Sequence, residues 1–273
     1  MTRKQQRIHF AQQHQALLRC PLCHEQVEVN DASIVCANRH TFDFTKQGYV
    51  NLAPQRSEEL YTKELFAARR DIITSGFYDP LHQELAKVVG QATVIADLGC
   101  GEGTHLQKLL PQGAVGIGID LAKEGVKMAA SYDNVLWQVA DLANIPLTTS
   151  SVDTIVNILS PSNYKEFRRI LRPTGCMVKV VPGEHYLAEL RQAFFPEKSP
   201  YSNAKIIALF EQQFAKTTQL KVSYQQDLAP QLMRKLLDMT PLMQNVASVQ
   251  KAQFIADKIQ TITLEFIILL GEN

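Results

Sequence analysis

A chain of 273 residues, 45% of them apolar, is long enough for one large domain and a small appendage. It has no run of ~18 apolar residues, so no membrane span is expected. The basic start has no apolar stretch behind it, which argues against a secretory signal and makes a cytoplasmic location the default. A net charge of +1, from 28 Lys and Arg against 27 Asp and Glu, permits contact with nucleic acid but gives no argument for it.

Residues 1–56 hold three of the five cysteines and four of the seven histidines, with little helical periodicity. Without an export signal these cysteines should be thiols, so their spacing points to metal or chemistry rather than disulfides. That spacing is C-x2-C-x12-C-x3-H through Cys20, Cys23, Cys36 and His40. Paired ligands of this kind sit on tight knuckles that turn two donors toward one Zn2+, and four protein ligands make the site structural. A segment of ~40 residues lacks a sizeable core and needs such a staple. Free thiols, or a redox pair at Cys20 and Cys23, are the competing readings, and His24 competes with His40 as the fourth ligand. The segment 1–56 is therefore expected to be an N-terminal zinc module, and 57–273 a second domain.

From about Glu58 the pattern becomes regular. Helices are predicted over Lys63–Ser75, closed by Gly76, and over Pro80–Val89, with proline in the first turn. Strands are predicted at Thr93–Leu98, Ala114–Ile119, Val135–Val139, Thr154–Leu159 and Met177–Val181, with helices between them, and two late strands at Leu220–Tyr224 and Thr261–Leu269. The alternation predicts an α/β fold with a mostly parallel, seven-stranded sheet covered on both faces. The stretch Pro196–Pro200 reads as a loop. The helix Ala229–Met239 reads as core or dimer surface.

The first of these strands runs into Asp97-Leu98-Gly99-Cys100-Gly101-Glu102-Gly103. Glycines there permit positive φ and close approach of a ligand, and the next helix offers free N–H groups. A dinucleotide fingerprint would need its third glycine at position 104, which is Thr104. The Gly-x-Gly-x-Gly spacing behind an acid instead resembles motif I of the Rossmann-like class I methyltransferases, which bind S-adenosyl-L-methionine. Asp120, closing the second strand, is placed to accept from both ribose hydroxyls. Asp141, after the third, is placed to reach the adenine amino group. The loop Ser160-Pro161-Ser162-Asn163-Tyr164 follows the fourth strand, where related enzymes hold the acceptor. Tyr164 is the candidate to stack on an acceptor base and Asn163 to bond its edge. Cys100 and Cys176 are poorly placed for the nucleophile of pyrimidine C5 methylation, and the loop departs from the Asn/Asp-Pro-Pro-Tyr of exocyclic-amino methylation. The basic run Lys165, Arg168, Arg169, Arg172 reads as a solvated helix face.

Taken together, the chain resembles the 23S ribosomal RNA (guanine-N1)-methyltransferases. The likeness rests on CPLC (20–23), CxxxH (36–40), F-D-x-x-K-x-G-Y-V-N-L (42–52), A-R-R-x5-G-x-Y (68–78), the glycine loop (97–103), HYLAEL (185–190) and MTP (239–241). The family's Pro-Phe reads Pro241-Leu242 here, and about 19 residues precede Cys20 with no evident role. The resemblance implies an enzyme that methylates N1 of a guanine in a 23S ribosomal RNA hairpin, with the zinc module recognising that hairpin. It also implies a homodimer and cofactor contacts at Tyr78, Gly101, Glu102 and His185. The rival readings are a small-molecule methyltransferase, a non-catalytic RNA-binding protein on a vestigial methyltransferase fold, and a nicotinamide oxidoreductase.

Overall fold

The computed structural model describes residues 1–53, 61–197, 202–255 and 260–272. The expected domain boundary at 56/57 lies outside them, as do residues 198–200 of the expected loop.

The chain begins with helix α1 (Arg3–Gln13), started by a capping box in which the Thr2 hydroxyl accepts from the Gln5 amide and the Gln5 side chain accepts from the Thr2 amide. Three short antiparallel strands follow, β1 (Val27–Asn30), β2 (Ser33–Cys36) and β3 (Thr41–Asp43). Strand β4 (Val50–Asn51) then leaves this small sheet and pairs in parallel with a strand of the large one.

The rest runs α2 (Lys63–Thr74), α3 (Asp79–Val89), β5 (Val94–Leu98), α4 (Thr104–Leu109), β6 (Val115–Asp120), α5 (Lys123–Ala129), β7 (Val135–Val139), β8 (Val152–Ile158), α6 (Tyr164–Ile170), β9 (Leu171–Pro182), α7 (Ala188–Phe194), α8 (Ala204–Glu211), β10 (Lys216–Leu228), α9 (Pro230–Met239), α10 (Ser248–Ile255) and β11 (Gln260–Glu272). The large sheet has the order β10-β11-β9-β8-β5-β6-β7-β4. Only β11 is antiparallel to its neighbours. The seven expected strands are all present, and β4 is an eighth that the expectation lacked. Two residues are too short to show a period-2 pattern.

Strands β5 and β7 are buried at every position, because helices cover both faces of a parallel sheet. Strands β10 and β11 each span 13 residues, more than twice the predicted length of the first. The flanks of β10 are polar because it is an edge strand, and only its pairing with β11 declares them as strand. Helix α9 buries Met233, Leu236 and Leu237 in the main core, which settles that helix as core. The chain passes from β5 through β6 to β7 on one side, then returns to β8 on the other. The switch point between β5 and β8 is where a parallel sheet opens a ligand cleft.

The N-terminal segment is a strap. Arg7 is buried, donating to the carbonyls of Ala130 and Tyr132 and pairing with Asp133 at 2.6 Å. Its side-chain stem lies where a Cβ on Gly48 would go. Gln12 donates to the Val29 carbonyl and Gln15 accepts from the Val29 amide, at 3.3 and 2.9 Å. The residues before Cys20 thus tie the zinc sheet to the large domain.

Candidate cofactor cleft and zinc centre

The two zinc knuckles are built alike. The His24 amide donates to the Cys20 carbonyl at 3.0 Å and the Arg39 amide to the Cys36 carbonyl at 2.8 Å. Both turns close on a non-glycine residue with φ +64°, a conformation that the surrounding structure must hold in place. The result gathers Cys20, Cys23, Cys36 and His40 so that their donor atoms all lie within 4.8 Å of one another. The Cys23–Cys36 sulfurs are 3.6 Å apart, and His40 Nδ1 is 3.5 and 3.4 Å from the sulfurs of Cys20 and Cys36. A tetrahedron with bonds of ~2.1–2.3 Å has edges of about 3.4–3.8 Å, so a zinc ion fits this group. The Glu25 backbone amide leads in lowering the Cys23 thiol to about 6, while burial raises that of Cys20. His24 points away, its Nε2 3.2 Å from Asn144 Oδ1, which leaves His40 as the fourth ligand.

That contact continues into a docking seam. The Asn144 side chain donates to the Pro21 carbonyl at 2.6 Å, and the Arg19 amide and Nε donate to the carbonyls of Pro146 and Ile145 at 3.1 and 3.2 Å. Glu166 joins three segments: its carboxylate accepts from Arg19 at 3.2 Å, from the Ile145 amide at 2.9 Å and from Arg169 at 2.7 Å. Burial alone would raise the Glu166 carboxyl, yet Arg169 and the Ile145 amide hold it below its ordinary value. The basic run therefore divides: Arg169 is held by Glu166 and by the carbonyls of Leu147 and Ile145, and Arg172 by Asp153.

The glycine loop turns over the end of β5. Gly99, Gly101 and Gly103 have φ of +88°, +55° and +82°. A Cβ on Gly99 would strike the Ser160 side chain, and one on Gly103 would come within 2.5 Å of Trp137. Only glycine satisfies both demands there. Asp120 fixes the loop by accepting from the amides of Gly101 and Ala122, each at 2.8 Å.

Beneath it, Asp97 is 2% exposed and Glu102 is fully buried. Burial pushes Asp97 up to about 8, with Arg69 opposing and the Asp120 and Glu102 charges adding to the rise. Both Glu102 carboxylate oxygens lack a hydrogen-bond donor, and Arg69 Nε lies 3.6 Å away. Three acids thus face one arginine. S-adenosyl-L-methionine fits this set, since its ammonium and sulfonium balance the excess negative charge and its hydroxyls supply the missing donors.

Next to the loop opens a pocket of about 640 Å³, walled by Arg69, Tyr78, His105, Ser160, Ser162, Tyr164, Lys179 and Tyr186, among others. The Tyr78 and Tyr186 hydroxyls meet at 3.1 Å, and burial raises both phenols. Of the residues expected from sequence, Tyr78 and Tyr164 line this pocket, together with Ser160, Pro161 and Ser162 of the acceptor loop. Tyr164 packs edge-on against Phe167, Phe210 and Phe214, at centroid distances of 6.0–6.4 Å. Asn163 caps α6, accepting from the Glu166 amide at 3.2 Å. Asp141 is exposed and accepts from the Ala143 amide at 2.8 Å. His185 lies outside the pocket wall, Nδ1 3.2 Å from Glu265. Arg69, His105, Tyr186 and Lys179 were missed as site residues. Lys179 left a signal, a charge within the apolar strand Met177–Val181.

A glycine-loop α/β sheet with an acid-rich cleft and a Cys3His centre defines an S-adenosyl-L-methionine-dependent class I methyltransferase carrying a structural zinc module. Residues 18–58 match the family model described as RlmA, N-terminal, a zinc ribbon, and residues 95–175 match the one described as methyltransferase domain. The chain is 36% identical over 273 residues, covering 94% of itself and 97% of the relative, to a Bacillus subtilis (strain 168) protein provisionally named 23S rRNA (guanine-N(1)-)-methyltransferase YxjB. It is 37% identical over 188 residues, 64% of this chain and 67% of the relative, to the 23S rRNA (guanine(748)-N(1))-methyltransferase of Streptomyces fradiae. This chain belongs to the 23S rRNA (guanine-N1)-methyltransferase family.

Proposed function

We propose that the protein transfers a methyl group from S-adenosyl-L-methionine to N1 of a guanine in a hairpin of 23S ribosomal RNA. The observation that carries this reading is the junction of the glycine loop with the pocket, where Gly99 lies against Ser160. Donor and acceptor sites therefore share one wall, as an in-line displacement requires. Loop residues Asp97, Gly99, Gly101, Glu102 and Gly103, with Asp120, Asp141, Tyr78 and His185, are the residues we propose for the cofactor. Asn163 and Tyr164 are those we propose for the acceptor. Bound S-adenosyl-L-methionine supplies a methyl carbon on a sulfonium: N1 gives its proton to solvent, its electron pair forms the C–N bond, and the C–S pair leaves with S-adenosylhomocysteine.

We further propose that residues 1–56 form the module that recognises the hairpin, that 57–273 form the catalytic domain, and that the protein acts in the cytoplasm as a homodimer. These readings follow the family likeness, and a ribosomal RNA target accounts for the location. Among the described residues no helix is long and apolar enough to cross a membrane.

The test is transfer of labelled methyl to unmodified large-subunit ribosomal RNA, followed by reverse transcription. N1-methylguanine cannot form a Watson–Crick pair, so one new strong stop in one hairpin is expected. Label without a stop would refute attack from the ring nitrogen.

A further inference from the structure

Lys179 is 4% exposed, yet it lines the pocket. Its ammonium donates to Asn157 Oδ1 at 2.7 Å, to the Ser160 carbonyl at 2.9 Å and to Ser162 Oγ at 2.7 Å. All three donors are used, and every acceptor is neutral. Among the described residues no carboxylate lies within ion-pair distance of Lys179, whereas the other buried or half-buried bases Arg7, Arg19, Arg69 and Arg169 each have an acid opposite them. An ammonium buried without a counter-charge is costly, because the charge has left water with nothing of opposite sign to replace it. A fold tolerates that cost where a ligand brings the opposite charge.

The position says which ligand. Lys179 stands on β9 beside β8, in register with Asn157. Asn157 in turn donates to the carbonyls of Leu98 and Pro161, at 2.5 and 3.1 Å. The ammonium therefore sits beneath the Ser160–Ser162 loop, toward the carboxyl ends of β8 and β9. The acids of the cofactor loop belong to β5 and β6. A guanine that loses its N1 proton becomes an anion, with charge shared between N1 and O6.

Resting on the guanine reading above, we propose that Lys179 is a positioning residue that holds the acceptor loop and places a positive charge beneath the guanine, favouring its N1-deprotonated form. Its hydrogen bonds to the loop keep it one layer away from the base, so it acts through Ser160 and Ser162 and through its field.

The other groups facing the pocket do not compete for this role. Arg69 on α2 is engaged with Glu102, and His105 on α4 is kept neutral by burial. The phenols of Tyr78, Tyr164 and Tyr186 are all pushed up by burial. Lys205 on α8 lines the outer part of the cleft and is exposed. Burial alone lowers Lys179 itself to about 8.

The experiment is single-turnover methylation of unmodified large-subunit ribosomal RNA by the full chain, from pH 6.5 to 9.5, for wild type and Lys179→Met. Affinity for S-adenosyl-L-methionine is measured by calorimetry alongside. Removing the charge should lower the rate ~100-fold near neutral pH, the scale of a lost electrostatic stabiliser. The deficit should shrink as rising pH removes the N1 proton without help and discharges Lys179 itself through about 8, while cofactor affinity stays within about twofold. A deficit that is constant across the pH range would reduce Lys179 to a packing role and overturn the proposal. A parallel loss of cofactor affinity would assign the charge to the cofactor carboxylate, and that too would overturn it. Should Lys179→Met fail to fold, Lys179→Gln keeps a polar head without the charge and is read the same way. Ser162→Ala, which removes one acceptor and keeps the charge, should slow the reaction equally at every pH. Wild-type protein that places no label on the RNA would instead sink the guanine reading itself.

Discussion

In the zinc module, three strands of three or four residues enclose a handful of apolar side chains, among them Val27, Val29, Ile34 and Phe44. Under the cofactor loop, β5 and β7 are buried along their whole length and Trp137 fills the space below Gly103. The two regions meet opposite requirements. The small one cannot bury enough surface to hold itself and relies on a metal, a helical strap and a seam of polar contacts. The large one has apolar core to spare and uses it to hold the buried acids Asp97 and Glu102 beneath the glycine loop.

The sharpest way to break the comparison is to remove the metal. Cys36→Ser should abolish stoichiometric zinc and let protease cut between 18 and 53, since structural zinc contributes on the order of 10 kcal/mol to such modules. The methyltransferase core should stay folded by circular dichroism; a collapse of both regions together would show that they are not held by separate means.

Glu166→Gln tests the seam. Without the charge, Arg19 and Arg169 lose their shared counter-charge and are left half-buried without one, at a cost of about 3 kcal/mol in urea unfolding. The Glu166 carboxyl is depressed in the folded state, so its contribution is present above the ordinary glutamate range and is lost as pH falls through the folded value. The gap between wild type and variant should therefore close below about pH 4.5. A gap that persists in acid would mean that packing, and not charge, is lost.

Gly103→Ala probes the large region alone. Positive φ and a Cβ 2.5 Å from Trp137 should together cost about 2–3 kcal/mol and weaken cofactor binding. Gly113→Ala, also at positive φ but in open space, should cost only ~1 kcal/mol and leave the cofactor bound. Equal effects on binding would disconnect the loop from the cofactor.

The smallest effect belongs to Asn144→Ala, which frees one zinc knuckle from the loop after β7. About 1 kcal/mol, or 2–4 °C in melting temperature, is expected. A larger loss would give this single contact a greater share of the seam than its two hydrogen bonds warrant.

Sequence reading worked best where a residue's neighbours along the chain set its environment. Cys20, Cys23, Cys36 and His40 could be picked by spacing because a knuckle is a local turn. The glycine loop could be picked because a strand, a turn and a helix N-terminus adjoin one another in the chain. His105 and Tyr186 could not, and Lys179 showed only as a charge inside an apolar strand. Their importance arises only when strand ends from distant segments converge on one pocket, and nothing near Tyr186 in the chain announces Tyr78 as its partner. The role of the first 19 residues was hidden for the same reason, since the carbonyls that hold Arg7 lie more than 120 positions away.

The sequence by itself determined the class of this protein: zinc ligands, glycine loop and the succession of strands and helices follow from local periodicity and from the few residues that tolerate a given turn. Tertiary structure alone decided which charges are left unbalanced. It set three acids against Arg69 and left Lys179 with neutral acceptors. Burial and counter-charge depend on what the rest of the chain brings alongside, and that is a property of packing.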